Sequence, residues 1–160
     1  MSLREIMNQT VENYDPKDNP NLGQSGLPEG EYDVVVEKVG FRVYERTGYD
    51  CIAMDLKVVV GDYSEQHEFI NINIDPNYKW NKAWNGRIHQ RNIKSIVQFA
   101  YATNATLTDD DWEDQQSVGD ALASRAVGQQ CLLRITEKTN NEGKVNKNYE
   151  FIKYDDVDPF

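Results

Sequence analysis

The chain has 160 residues, of which 39% are hydrophobic, 11% aromatic and 28% charged; this length suits one domain, and the composition excludes a disordered tail protein. Seventeen Lys and Arg stand against 27 Asp and Glu, a formal net charge of −10, which as an average gives no attraction to nucleic acid or anionic membrane. No apolar run approaches the ~18 residues that cross a bilayer and Met1–Ile6 lacks the apolar segment of a signal peptide, so a cytoplasmic protein without membrane association is expected.

At the N-terminus, Leu3, Ile6, Met7 and Val11 have a helix-compatible spacing too short to be stable without docking, which reads as an arm. Asp15 to Gly30 holds three Pro and three Gly among Asn, Asp and Ser, a linker ending in the turn Leu27-Pro28-Glu29-Gly30. Residues 1–27 are therefore expected to be arm and linker, and 28–154 the domain proper.

Three strand-like segments follow. Tyr32, Val34 and Val36 alternate with Asp33, Val35 and Glu37; Ile52, Met54, Leu56, Val58 and Val60 form one face of a second strand; Glu68 to Ile74 places Ile70, Ile72 and Ile74 on one side. Gly40 to Tyr49 is expected to join the first pair as a loop, and a turn near Gly61-Asp62 the second. Gln90 to Thr103 then carries Ile93, Ile96, Val97, Ala100 and Tyr101 at amphipathic-helix spacing. Thr108 before Asp109, Asp110 and Asp111 is a helix start, and Ser117-Val118-Gly119-Asp120 resembles a second, with Gly128 as the stop. Gln129 to Glu137 returns to strand, Asn140-Asn141-Glu142-Gly143 is a hairpin loop, and Tyr149 to Tyr154 is the returning strand.

The expected class is all-β with a helical insertion. Five strands with helices between the third and fourth match the OB-fold, a five-stranded Greek-key barrel. Cys51 and Cys131 lie in apolar strand segments and read as buried, reduced thiols.

Enzyme motifs are absent: there is no phosphate-binding glycine loop, dinucleotide fingerprint, His-Glu-x-x-His or paired Cys-x-x-Cys. Neither catalysis, a metal nor a cofactor is expected. His67 and His89 have no second ligand at metal spacing. Asp109, Asp110, Asp111, Glu113 and Asp114 match no calcium loop, and a charged helix start accounts for them.

Charge is distributed unevenly. Pro76 to Thr108 contains no acid, while Lys79, Lys82, Arg87, Arg91 and Lys94 supply five positive charges, so the rest carries 12 basic residues against all 27 acids. Within that stretch Tyr78, Lys79, Trp80, Lys82, Trp84 and Arg87 interleave cations with flat rings, the pairing that single-stranded nucleic acid requires for its phosphates and unstacked bases. In an OB-fold the loops joining strands one to two and four to five flank the same face. The first offers Arg42, Tyr44, Arg46 and Tyr49, the other Lys138, Lys144 and Lys147, so three distant segments are expected to converge. The competing reading makes Trp80 and Trp84 a helix-side anchor and the lysines mere solvation.

The chain closes with Asp155, Asp156, Val157, Asp158, Pro159 and Phe160. This tip resembles the acidic Pro-Phe end of bacterial and phage single-stranded DNA-binding proteins, and Gly26–Val34, Arg91–Lys94 and Val127-Gly128 are similar to the small OB-fold members encoded by phages of Gram-positive hosts. The resemblance implies a tip, residues 155–160, in which Asp155, Asp156, Asp158, Pro159 and Phe160 dock replication, recombination or repair proteins. A departure from bacterial members is the lack of a long spacer before the tip. The expectation is a sequence-tolerant binder of single-stranded DNA in phage-type replication or recombination, in the host cytoplasm if phage-encoded, with its oligomeric state open. The alternative is an acidic, DNA-mimicking protein that inhibits a nucleic-acid enzyme.

Overall fold

The computed structural model describes residues 26–156 and, ahead of them, residues 3, 4, 7, 8 and 12. Five strands, β1 (Gly30–Val43), β2 (Asp50–Val58), β3 (His67–Ile72), β4 (Gln130–Thr139) and β5 (Val145–Ile152), form one antiparallel sheet in the order β3-β2-β1-β4-β5. Between β3 and β4 lie three helices, α1 (Lys79–Lys82), α2 (Arg87–Ala102) and α3 (Gln115–Arg125), with short 3-10 turns at Trp84–Gly86 and Asp109–Glu113. Leu3, Arg4, Met7 and Asn8 are helical. None of the helices among the described residues is long and apolar enough to cross a membrane.

The sheet lays one apolar face inward. Val34, Val36, Met54, Leu56, Ile70, Ile72, Leu133 and Ile135 are buried there, as strict alternation dictates. β1 is longer than its sequence pattern suggests. A bulge between Val36 and Lys38 shifts the register against β2 and moves the buried phase to Val39, so period two breaks in mid-strand. Phe41 and Arg42, expected in a loop, are therefore strand residues, and the β1–β2 connection is only 44–49. β5 likewise starts at Val145, earlier than expected.

α2 buries Ile96, Phe99 and Ala100, with Phe99 edge-on to Phe151 of β5 at 5.1 Å between ring centroids. Its Gln98 Oε1 accepts the outward N–H of Phe151 at 2.9 Å, which satisfies a donor on an edge strand. α3 starts at Asp114, not at Ser117: the Asp114 carboxylate accepts the Ser117 N–H at 2.7 Å, leaving Ser117 inside the first turn. Thr108, expected as a helix start, opens a 3-10 turn, and the capping box that the sequence suggested for Ser117–Asp120 is made here, by Thr108 and Asp111. The Arg125 guanidinium, ahead of the Thr108 N–H, holds the Asp111 carboxyl down to about 2.

α3 crosses β1 where both chains are smallest. A Cβ added at Gly119 would stand 2.5 Å from the Phe41 nitrogen, an immovable backbone atom. Gly119→Ala should therefore lower stability by about 1–3 kcal/mol through overpacking, despite ~1 kcal/mol gained in helix propensity. The urea midpoint, at unchanged denaturant slope, measures it.

The sheet is open, with β3 and β5 as its edges. Side chains of the two edges meet. Glu68 of β3 is 2% exposed; its Oε2 accepts from Lys147 Nζ at 2.9 Å and Tyr149 OH at 2.6 Å, both on β5. Its Oε1 accepts the Leu27 N–H at 2.6 Å. Burial, then the bond to Glu68, pushes the Tyr149 hydroxyl well above the ordinary tyrosine range. Leu27 is fully buried, and a Cβ on Gly26, whose φ is +87°, would sit 2.1 Å from Glu68 Oε1. The folded unit thus reaches back to Gly26, inside the expected linker. Cys51 and Cys131 are free and buried, and burial pushes their thiols up to about 11 and about 12.

Candidate functional site

On the outward face of β1, β2 and β3 lies a concavity of about 500 Å³, with Lys38, Arg42, Tyr44, Asp55, Phe69 and Asn71 in its lining. These residues share the face because the register sets Lys38 opposite Asp55 and Asp55 opposite Phe69, each out of phase with the buried set. Phe69 is 69% exposed in the middle of a strand. Such a ring on a solvent face needs an explanation. His67 stacks on it at 5.9 Å and 11°, and pairs with Asp55 at 2.5 Å.

From this floor a train of rings runs outward. The Arg42 guanidinium lies 4.3 Å over the Tyr44 ring, whose hydroxyl donates to Asn71 Oδ1 at 3.0 Å. Tyr44 stacks on Tyr49 at 6.2 Å, and Tyr49 meets Tyr78 at 5.5 Å. Burial, ahead of neighbouring Cys51 and Tyr78, pushes Tyr49 up to about 12. Tyr78 leads into α1, where Trp80 stacks on Trp84 at 5.6 Å and 14°, with Lys79 Nζ 5.3 Å from the Trp80 ring. Both indoles are about half exposed. The β1–β2 loop and the acid-free stretch are thus joined by contact.

A buried polar knot supports this train. Asn81 of α1 donates to Asn73 Oδ1 at 2.8 Å and to Asp75 O at 2.9 Å. Asn92 and His89 of α2 donate to Asn73 O and Ile74 O at 2.9 and 2.8 Å. Gln115 of α3 accepts the Ile74 N–H at 2.7 Å, and Asn73 Nδ2 donates to Asp50 O at 2.7 Å. Residues 73–75 are therefore fixed to three helices and β2, which satisfies the buried polar groups of a segment that is neither strand nor helix. The turn they hold is strained: Trp84 and Asn85 have φ of +50° and +55° and Gly86 +74°, left-handed geometry that is costly for the first two.

Beyond the turn, Arg87, Arg91 and Lys94 recur at helical spacing on the exposed face of α2. Among the described residues, Arg42, Lys79, Lys82, Arg87, Arg91 and Lys94 enter no ion pair, as is also true of Arg4, Lys38, Lys138, Lys144 and Lys153, whereas Arg46, Lys57, Arg125, Arg134 and Lys147 each face a carboxylate; what sets the six apart is their place along the ring train and the helix that follows it. Arg46 meets Glu12 of the N-terminal arm at 2.9 Å. Lys147 is a β5 residue whose ammonium faces buried Glu68, not the hairpin loop. Lys138 and Lys144 lie on and beside the β4–β5 hairpin, past the Gly30 end of β1, while the 44–49 loop leaves its Val43 end. No side-chain hydrogen bond, ion pair or ring contact joins them to the train among the described residues. Of three expected segments, contacts unite two.

Asp155 and Asp156 fall in a 3-10 turn after β5, and Asp158, Pro159 and Phe160 lie outside the described residues. Sequence reasoning missed Lys38, Phe69 and Asn71; the available signal was an aromatic residue on the polar phase of the Ile70-Ile72-Ile74 strand. It counted Arg91 and Lys94 as charge without placing them in the site. Chemically, the arrangement offers fixed flat rings flanked by cations with free valence. No curated protein matches the chain. The model of one family, described as protein of unknown function (DUF669), matches residues 13–159, and the chain belongs to that family.

Proposed function

We propose that the chain binds single-stranded nucleic acid, DNA in the first instance, without chemistry and with little sequence preference. The observation that carries this reading is the gathering of six cations, without carboxylate partners among the described residues, beside stacked rings of which Trp80 and Trp84 are about half exposed, in a protein of net charge −10. Phosphates track the cations while bases stack on Phe69, the tyrosines and the Trp80–Trp84 pair, each stack being worth about 1–3 kcal/mol. We further read the open sheet as an OB-type barrel. Its strand order and its helices between β3 and β4 support this, as do edges β3 and β5, which run in the same direction and are bridged by Glu68. Residues 155–160 are read as a docking peptide for replication, recombination or repair proteins.

Titration of the intrinsic fluorescence with oligo-dT, repeated with duplex DNA, tests the proposal. Quenching should saturate with oligo-dT and be far weaker with duplex, whose bases offer no free face. Three to six phosphate contacts at about 0.7 released counterions each predict a log–log salt slope of about −2 to −4. A flat salt response or equal affinity for duplex would overturn the reading; no binding to either form would favour the DNA-mimic alternative.

A further inference from the structure

A second groove, of about 440 Å³, lies away from the ring train. The C-terminal half of α2 gives it Val97 and Tyr101, the following segment Ala105 and Leu107, the 3-10 turn Trp112, and the chain after β5 Lys153. Val97 and Tyr101 are 51% and 56% exposed, so an apolar stripe of α2 lacks a cover. We propose that this groove is the seat of the chain's own residues 157–160, Val157-Asp158-Pro159-Phe160, held in cis.

The position of the preceding residues supports this occupant over any other. Tyr101 OH, on the groove wall, donates to Asp156 Oδ2 at 2.7 Å, so the last described residue is anchored at the rim. Lys153 Nζ sits 5.0 Å from the Tyr101 ring centroid, placing one cation in a lining that is mainly apolar and whose other polar side chains are Asn104 and Thr106. The segment that follows has matching chemistry: two apolar residues and a proline around one carboxylate, Asp158. Four residues span at most about 13–14 Å, so the segment is confined to the surface around its anchor at Asp156, of which the groove wall at Tyr101 is part. A seat in cis also suits a peptide without a long spacer, because tethering at the rim supplies a high effective concentration. While seated, Phe160 is withheld from a partner's pocket, and docking a partner requires its displacement. The seat does not depend on nucleic-acid binding, and the experiment does not use it.

Trp112 reports on the groove. In full-length protein with Trp80→Phe and Trp84→Phe it is the sole tryptophan, and acrylamide quenching reads its access. Phe160→Ala should raise the quenching constant and shift the emission to the red. A synthetic peptide of residues 154–160 should restore protection saturably. Val97→Asp, at an exposed lining position, should give the high quenching of Phe160→Ala and abolish the peptide's effect, with the circular dichroism unchanged. Protection should persist over a roughly hundredfold dilution, as an intramolecular contact must. Unchanged quenching in Phe160→Ala overturns the seat, and protection lost on dilution overturns its occupation in cis in favour of a second copy.

Discussion

Glu68→Leu should destabilise the protein by about 3–5 kcal/mol, the range for removing one partner of a buried charge pair. The carboxylate is the only described side chain that accepts from both β5 and the segment entering β1, through Lys147, Tyr149 and the Leu27 N–H. Leucine fills much of the space but accepts nothing, so a backbone N–H and a hydroxyl lose their acceptor and the Lys147 ammonium, 11% exposed, loses this carboxylate. Against a total stability of about 5–15 kcal/mol such a loss is a large share. A second change separates charge burial from packing. Lys147→Met in the Glu68→Leu background should recover the part of the loss that belongs to the Lys147 ammonium, while the Leu27 N–H and the Tyr149 hydroxyl, still without their acceptor, keep the double variant below wild type. Urea unfolding of the four proteins closes the cycle. A midpoint near wild type for Glu68→Leu would mean that α2 and its Gln98 contact alone hold the edges together.

The elements that could be read in the sequence are those whose pattern reports a single physical demand. Ile70 and Ile72 alternate with Phe69 and Asn71 because β3 has one buried face, although the strand ends at Ile72 and Ile74, expected in it, belongs to the buried segment that follows; Ile93, Ile96 and Ala100 recur because α2 has one. The second half of β1 escaped because its bulge inverts the alternation and its smallest residue, Gly40, answers to the approach of α3, with Ala123 3.6 Å from where a Cβ would be. β5 escaped for a different reason. Its first residues, Val145-Asn146-Lys147-Asn148, look like a loop because one face is solvated and the other serves Glu68 with polar groups.

The site divides in the same way. Absence of acids over 33 residues, Pro76 to Thr108, is a one-dimensional signal and needs no fold. Joining Tyr49 to Tyr78 requires β2 and β3 to lie side by side, which the strand order supplied. Phe69 demanded more: only knowledge of which face of β3 is covered distinguishes an outward aromatic from a core one. The buried amides Asn73 and Asn81 and the half-buried Asn92 gave no signal at all, since Asn is the ordinary residue of loops and their partners are oxygens on other elements.

Trp80→Ala and Trp84→Ala should each weaken oligo-dT binding by about 1–3 kcal/mol, roughly 5- to 150-fold in Kd. Their cost to stability should be smaller, because the rings are 46% and 59% exposed and a ring pair contributes only about 0.5–1.5 kcal/mol beyond its area. Alanine is the informative replacement for Trp84. It keeps the backbone penalty of φ +50°, whereas glycine would relieve that strain and mix a stability gain into the measurement. The indoles also stack on one another at 5.6 Å, so each orients the other. Removing one therefore costs its own contact with a base and part of its neighbour's, and the double variant should lose less affinity than the sum of the singles. Strict additivity would mean two independent platforms instead of one clasp. If each alanine instead lowers the melting temperature and leaves oligo-dT affinity unchanged, the pair is an anchor for the turn between α1 and α2, and the binding surface must be sought on the Phe69 floor alone.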